Sequence, residues 1–86
     1  MDHIARWHIT VDLFEHEKST VAQVVLDTGT RTLKAHGREK SVGSQAFVPE
    51  IADEFAVGSA LVDLGTQLLV IASGDSAGLV ERGSQS

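Results

Sequence analysis

The chain has no cysteine and no tyrosine, and it has a single proline among its 86 residues. Without thiols, no disulfide can hold together a chain this short, so its stability depends on packing, helped where needed by a partner chain. Two domains would each be too small to bury a core. We therefore expect one domain over residues 1–75, followed by a disordered polar tail over residues 76–86.

The sequence also lacks the marks of secretion and of membrane insertion. Its first residues, MDHIARWHI, do not place a basic segment before an apolar one, as a signal peptide does. No unbroken apolar run approaches the roughly 20 residues that span a bilayer. We therefore expect a cytoplasmic protein with no membrane contact.

Motifs for catalysis and for metal binding are missing as well. The four histidines form no helical i, i+4 pair, and the one G-x-S-x-G match, residues 74–78, does not follow a strand as a nucleophile elbow does. Residues 37–43, GREKSVG, lack the order of a phosphate-binding loop. Glu15, His16 and Glu17 could surround a metal, although a charged hairpin tip is the ordinary interpretation. We expect no enzyme, no cofactor, no metal and no small-molecule substrate.

Basic residues are scarce in the second half of the chain. Residues 49–86 contain six acidic residues against Arg82 alone, whereas residues 1–48 contain six of each sign. The second half therefore supplies the entire net charge of −5. Because phosphate contacts need lysine and arginine, a polyanion would have to bind the first half.

Three segments of alternating polarity come first. Residues 6–15 place Trp7, Ile9, Val11 and Leu13 at every second position, which predicts a half-buried strand. Residues 20–28 and 31–36 show the same period, and Asp27-Thr28-Gly29-Thr30 is typical of a turn. The pattern predicts a three-stranded antiparallel meander. Residues 37–47 have no period and indicate a loop or a frayed fourth strand.

A long helix is predicted from Val48 to Ser73. Pro49 is tolerated in the first turn, acidic residues there complement the helix dipole, and Gly74 suits the helix end. We expect Gly58 and Gly65 to allow close approach of the sheet or of a second helix, a hinge being the alternative. The expected inward stripe combines these positions: Ile51, Phe55, Ala56, Gly58, Leu61, Val62, Leu64, Leu68, Leu69, Ile71 and Ala72.

The predicted fold is therefore α+β, with three antiparallel strands followed by one long α-helix packed on the sheet. One helix covers only one face of a sheet, so Phe14, Val21 and Val25 would stay exposed on the other. We expect these three residues to form the interface of a homodimer, with the helix overhang or an edge strand as further contact sites.

Four segments carry a resemblance to a known family: WHITVD (7–12), EHE (15–17), VPEIADEFAV (48–57) and ALVDL (60–64). They resemble a family of small actinobacterial proteins classed as a domain of unknown function, and the similarity covers about residues 6–75. The resemblance implies a fold like that of double-stranded-RNA-binding domains (dsRBD-like) and dimers. Some members are similar in shape to ribosome hibernation-promoting factors, which implies a role in stress or dormancy on ribosomes.

Two classes of function remain open. The first is a stress-associated binding protein acting on ribosomes, whose RNA contacts would be the basic residues Arg31, Lys34, Arg38 and Lys40. In the second, these residues only balance nearby acids, and the protein is a protein–protein interaction module with no RNA role. The acidic helix would repel RNA, which weighs against the binding mode usual for dsRBD-like domains.

Overall fold

A computed structural model describes residues 3–40 and 48–85, and it has the predicted order of elements. The strands are β1 (His8–His16), β2 (Ser19–Asp27) and β3 (Thr32–Lys40), and the helix is α1 (Pro49–Gln85). The sheet order is β1-β2-β3, with both neighbouring pairs antiparallel. The predicted α+β fold, a meander with one long helix on the sheet, is confirmed.

Both hairpin turns follow from local chemistry. Between β2 and β3, Asp27 accepts a hydrogen bond from the N–H of Gly29 at 2.8 Å, and Gly29 adopts a φ of 94° that side chains disfavour. Between β1 and β2, the hydroxyl of Ser19 donates to the carbonyl of His16 at 2.9 Å. These turns fix the register in which Val11 pairs with Val24 and Val24 with Ala35.

The core lies between α1 and the two strands β2 and β3. One helix face contributes Ala52, Ala56, Ala60 and Leu64, whose i, i+4 spacing aligns them along one side of the helix. The sheet contributes Ala22, Val24, Leu26 and Ala35. The alternation within residues 31–36 puts Leu33 and Ala35 on one face, and the structure places that face inward: Ala35 is buried and Leu33 packs against the core.

Gly37 is the point of closest approach between sheet and helix. A Cβ built on Gly37 would overlap the carbonyl oxygen of Ala56 and would lie 2.5 Å from the amide nitrogen of Ala60. The expected approach of the sheet to Gly58 and Gly65 is wrong, because a Cβ at either position meets no described atom within 4 Å. The small residues that admit the sheet are Gly37 and the alanines facing it.

The helix has two apolar faces, and the predicted inward stripe mixed them. Ala56 and Leu64 are buried, and Leu68 packs partly against the core. The large residues on the other side remain in solvent, with Phe55 60% and Val62 70% exposed. The further exposed members of the predicted stripe are Ile51, Gly58, Leu61, Leu69 and Ala72.

Two element ends also differ from the prediction. β3 continues through residues 37–40, where a loop or a frayed fourth strand was expected, and residues 41–47 lie outside the described part of the chain. The helix does not end at Gly74 but runs to Gln85, so that it extends far past the sheet. The molecule is elongated, with extents of 63 × 29 × 17 Å.

Strand β1 is left uncovered by this helix. Its inward residues Ile9, Val11 and Leu13 lie on the helix side of the sheet but are 52%, 40% and 42% exposed, so their predicted half-burial is incomplete. The helix lies over β2 and β3 and touches β1 only at a few points. A single helix is too narrow to cover three strands spaced about 4.8 Å apart.

By length and composition alone, the segment Pro49–Asp75 could cross a membrane, with a mean hydropathy of 1.7. The high hydropathy is not visible in the sequence as one apolar run, because polar residues interrupt the segment at intervals. The high hydropathy results from the two apolar faces, of which one packs on the sheet. The core helix of a soluble protein can be equally long and apolar, so the length and hydropathy of this helix are weak evidence for membrane insertion.

Candidate functional site

The open face of the sheet, opposite the helix, carries most of the residues selected from the sequence. Since strand side chains alternate between faces, the residues that do not point to the helix share this surface. The cross-strand rows are His8–Asp27–Thr32, Thr10–Val25–Lys34, Asp12–Gln23–His36, Phe14–Val21–Arg38 and His16–Ser19–Lys40. We call these fifteen positions the open face.

Three of the four predicted RNA-contact residues, Lys34, Arg38 and Lys40, lie along one strand on the open face, and we call them the basic row. Lys34, Arg38 and Lys40 are exposed and occupy alternate positions of the edge strand β3, with His36 between them. From Lys34 to Lys40 the row is roughly 20 Å long at about 3.3 Å per residue. The sequence placed Arg38 and Lys40 in a loop, and the extension of β3 is what aligns them with Lys34.

Arg31 does not join this row. It precedes β3 and places a guanidinium nitrogen 3.9 Å from a carboxylate oxygen of Asp75 on the helix. Both side chains are largely exposed, so this ion pair adds little stability. Its consequence is spatial, because it directs Arg31 toward the helix side of the molecule and away from Lys34.

Charge is divided between the two sides of the sheet. The open face carries three bases and the two acids Asp12 and Asp27. Helix α1 has no lysine or arginine before Arg82, and its acids include Glu50, Glu54 and Asp63. An approaching polyanion is therefore attracted to the open face and repelled by the helix.

The predicted dimer-interface residues lie on the open face as well. Phe14 is 57% exposed, and Val21 and Val25 are half-buried. Phe14 pairs across the strands with Val21, which in turn pairs with Arg38. An exposed aromatic ring and a guanidinium thus occupy the same cross-strand row. Their arrangement suits base stacking beside a phosphate contact as well as it suits a protein interface.

A pair of carboxyl groups under the start of the helix was not found from the sequence. Glu15 of β1 and Asp53 of α1 meet on the helix side of the sheet, and their hydrogen bond raises the pKa of Glu15. Repulsion by the Asp53 charge and partial loss of water raise this pKa further. The signal was present, because Glu15 shares the odd-numbered positions of the inward residues Val11 and Leu13.

Thr20 lies beside this pair. It is the cross-strand neighbour of Glu15 and is completely buried, and its hydroxyl has no hydrogen-bond partner in the described part of the chain. One carboxylate oxygen of Asp53 is buried without a partner too. Among residues 3–40 and 48–85, no three histidine, aspartate or glutamate side chains gather into a cluster that could hold a metal ion.

Comparison with known proteins identifies relatives that match most of the chain. The model of the Rv2632c-like family matches residues 5–85. The crystal structure of Rv2632c superposes with a TM-score of 0.80 at 29% identity, covering 91% of this chain and 94% of that one. The uncharacterized proteins MT1780 of Mycobacterium tuberculosis and Mb1767 of Mycobacterium bovis are each 33% identical over 75 residues, which is 86% of this chain and 80% of theirs. The chain therefore belongs to the Rv2632c-like family.

Proposed function

We propose that this protein is a binding protein without catalytic activity that contacts RNA, in the first place ribosomal RNA, through the open face of its sheet. The observation that supports the proposal is the row formed by Lys34, Arg38 and Lys40. A stress or dormancy role on ribosomes, like that of hibernation-promoting factors, is part of the same proposal and rests on the resemblance in sequence.

The geometry of the open face favours single-stranded or looped RNA. On a sheet surface with an exposed aromatic ring, nucleobases can stack on the ring while basic side chains along the sheet edge contact the phosphates. Phe14 is the ring, and Arg38 lies in its cross-strand row. The acidic helix on the opposite side orients the molecule, because only one of its faces attracts phosphate.

The affinity should depend on salt in proportion to the number of phosphate contacts. Each contact contributes about 0.7 to 0.9 to the log–log slope, so three contacts predict a slope of roughly −2 to −3. Between 50 and 200 mM salt, the affinity should then fall roughly 20- to 40-fold. A contact made by apolar surface would show almost no such dependence.

Co-sedimentation with ribosomes at these two salt concentrations tests the proposal. The double variant Arg38→Glu/Lys40→Glu should abolish binding, since it replaces two phosphate contacts by repulsion. Arg6→Glu/Arg31→Glu is a matched control, because it changes the net charge equally but lies off the basic row. Binding that survives the first variant, or that is lost equally in the control, contradicts the proposed site.

The alternative function, a protein–protein interaction module with no RNA role, is favoured by the exposed apolar side of the helix. Phe55 and Val62 there are more than half exposed. The charge variants separate the two functions. If the protein binds ribosomes, Glu50→Lys should leave that binding intact or strengthen it. If instead Glu50→Lys loses a protein partner that Arg38→Glu/Lys40→Glu still binds, the interaction module is favoured.

A further inference from the structure

The exposed side of helix α1 carries a regular apolar stripe that the fold leaves unused. Its large members are Phe55, Val62 and Leu69, spaced seven residues apart and 60%, 70% and 71% exposed. Three residues after each of them comes a small one, in the order Gly58, Gly65 and Ala72. Alternating steps of three and four residues are the spacing of a coiled-coil contact. We call these six residues the seam.

The seam points away from the sheet, because the helix buries Ala52, Ala56 and Ala60 on its opposite side. No described atom lies within 4 Å of a Cβ built at Gly58 or Gly65. Phe55, Gly58 and Val62, with Glu54 and Ser59, line an open depression of about 480 Å³. Gly58 thus leaves a hollow between the large exposed side chains Phe55 and Val62, with nothing from the described chain to fill it.

We propose that a second copy of this chain packs on the seam, helix against helix and antiparallel. In an antiparallel coiled coil, each a position faces a d position of the other helix. The register that aligns the two seams places Phe55 of one copy opposite Ala72 of the other. The same register places Gly58 opposite Leu69 and Val62 opposite Gly65. Every large residue then meets a small one.

A parallel arrangement does not fit the same sequence. It would stack Phe55 on Phe55 and Gly58 on Gly58, so that crowded layers alternate with empty ones, and both faults are costly in a packed interface. The self-complementarity of the antiparallel seam is what identifies the partner as a second copy. It also accounts for the presence of glycine inside a helix, where it costs about 1 kcal/mol relative to alanine.

Most residues beside the seam agree with this arrangement; the exception is Glu54, which the same register brings next to Asp75 of the other copy, the acid that pairs with Arg31. On one edge, Ser59, Thr66 and Ser73 are small and let the helices come close. On the other edge, Leu61 of one copy comes next to Leu68 of the other, which covers a leucine that the monomer leaves 42% exposed. The contact surface is therefore wider than the seam itself.

The length of the overlap sets the expected affinity. In this register Pro49 faces Gly78, so the two helices overlap over about 45 Å at 1.5 Å per residue. A strip about 11 Å wide, the diameter of a helix, gives roughly 500 Å² per copy. The total of roughly 1,000 Å² is near the lower bound for specific interfaces. We therefore expect a dimer that dissociates on dilution in the micromolar range.

The first test compares leucine substitutions at two glycines of the same helix. Gly58→Leu should fill the hollow that receives Leu69 and convert the dimer to a monomer in analytical ultracentrifugation at about 100 µM. Gly74→Leu is the matched control, since Gly74 is equally open but lies off the seam. Circular dichroism establishes that both variants remain folded. A dimer that persists in Gly58→Leu, or is lost equally in Gly74→Leu, overturns the proposal.

The second test determines the relative orientation of the two helices by disulfide cross-linking. The chain has no native cysteine, so only the introduced thiols can react. Val62→Cys should cross-link two copies readily on oxidation, because the two thiols lie near the centre of the overlap. Phe55→Cys should not cross-link, since the antiparallel register separates its two copies by about 25 Å along the helix. Equal cross-linking of both variants indicates a parallel pair and overturns the proposed register.

Three further results would also overturn the proposal. The wild-type chain could stay monomeric at 100 µM. The dimer could be lost in Phe14→Ser, which would assign the interface to the open face. The monomer could bind phosphatidylcholine vesicles through Phe55 and Val62, which would make a lipid surface the partner. Retention of the dimer in Phe14→Ser, with loss in Gly58→Leu, supports the seam and leaves the open face free.

Discussion

Among the glycines that the structure describes, Gly37 should be the one where an added methyl group, as in Gly37→Ala, is most destabilising. The new Cβ would overlap the Ala56 carbonyl oxygen and lie 2.5 Å from the Ala60 nitrogen and 2.9 Å from the Ser59 Cβ. Two of these three atoms belong to the helix backbone, which no side-chain rotation can move. The helix would have to lift by about 1 Å to restore ordinary contact distances.

The expected cost follows from the core that this displacement opens. A gap of 0.5 to 1 Å removes about a quarter to a half of each dispersion contact across it, and overpacked cores typically lose about 1–3 kcal/mol. Because the obstacle is backbone, we expect about 3 kcal/mol or more. Total stabilities of about 0.05–0.15 kcal/mol per residue make this a large fraction of the free energy of unfolding.

Urea unfolding followed by circular dichroism measures this loss. Gly74→Ala provides the control, because it adds the same methyl group in open space and, inside a continuous helix, should stabilise by up to about 1 kcal/mol. If Gly37→Ala costs less than about 0.5 kcal/mol, the close packing of β3 against the helix is refuted. If Gly74→Ala destabilises, the helix does not continue through residue 74.

Two further predictions concern the helix and its contact with β1. Leu64→Ala should lower the free energy of unfolding in urea by about 2–5 kcal/mol, because Leu64 is buried. Leu61 is 42% exposed, so Leu61→Ala should cost less than about 1 kcal/mol. Equal costs would contradict the assigned helix face. Glu15→Gln should raise the melting temperature at pH 7, and the exposed Glu54→Gln serves as the control. The raised pKa of Glu15 means that the folded state holds its proton more tightly than the unfolded chain does. The stabilisation of the folded state by this proton is therefore complete below the ordinary glutamate pKa, and it is lost as the pH rises through the raised pKa of Glu15. Melting curves at pH 4 and pH 7 should differ less in Glu15→Gln than in the wild type, and a lower melting temperature at pH 7 in this variant would contradict the repulsion with Asp53.

The basic row shows how far the strand pattern reaches. The sequence identified Arg31, Lys34, Arg38 and Lys40 as the one dense group of bases, but it ended β3 at His36 because glycine and charged residues follow. In the structure, Gly37 belongs to the strand since the helix lies directly on it. Continuing the alternation through Gly37 is what places the three bases on one face, and Arg31 falls outside it.

The sequence by itself determined the order of elements, the turn at Gly29 and the start of the helix at Pro49. These features depend on neighbouring residues alone: alternation within a strand, a side chain that bonds its own backbone, and a proline that lacks an N–H. The uneven distribution of charge, and therefore the side on which a polyanion could bind, is also a property of the sequence.

Only the tertiary structure decided which side of the helix is buried. Both sides are apolar, and the side with the larger residues, Phe55 and Val62, is the more hydrophobic of the two. The sheet nevertheless packs on Ala56 and Ala60, because Gly37 lets the backbones approach and close contact over small residues fills the space better than large side chains would. Shape complementarity across two distant segments made this choice, and no periodicity within either segment contains it.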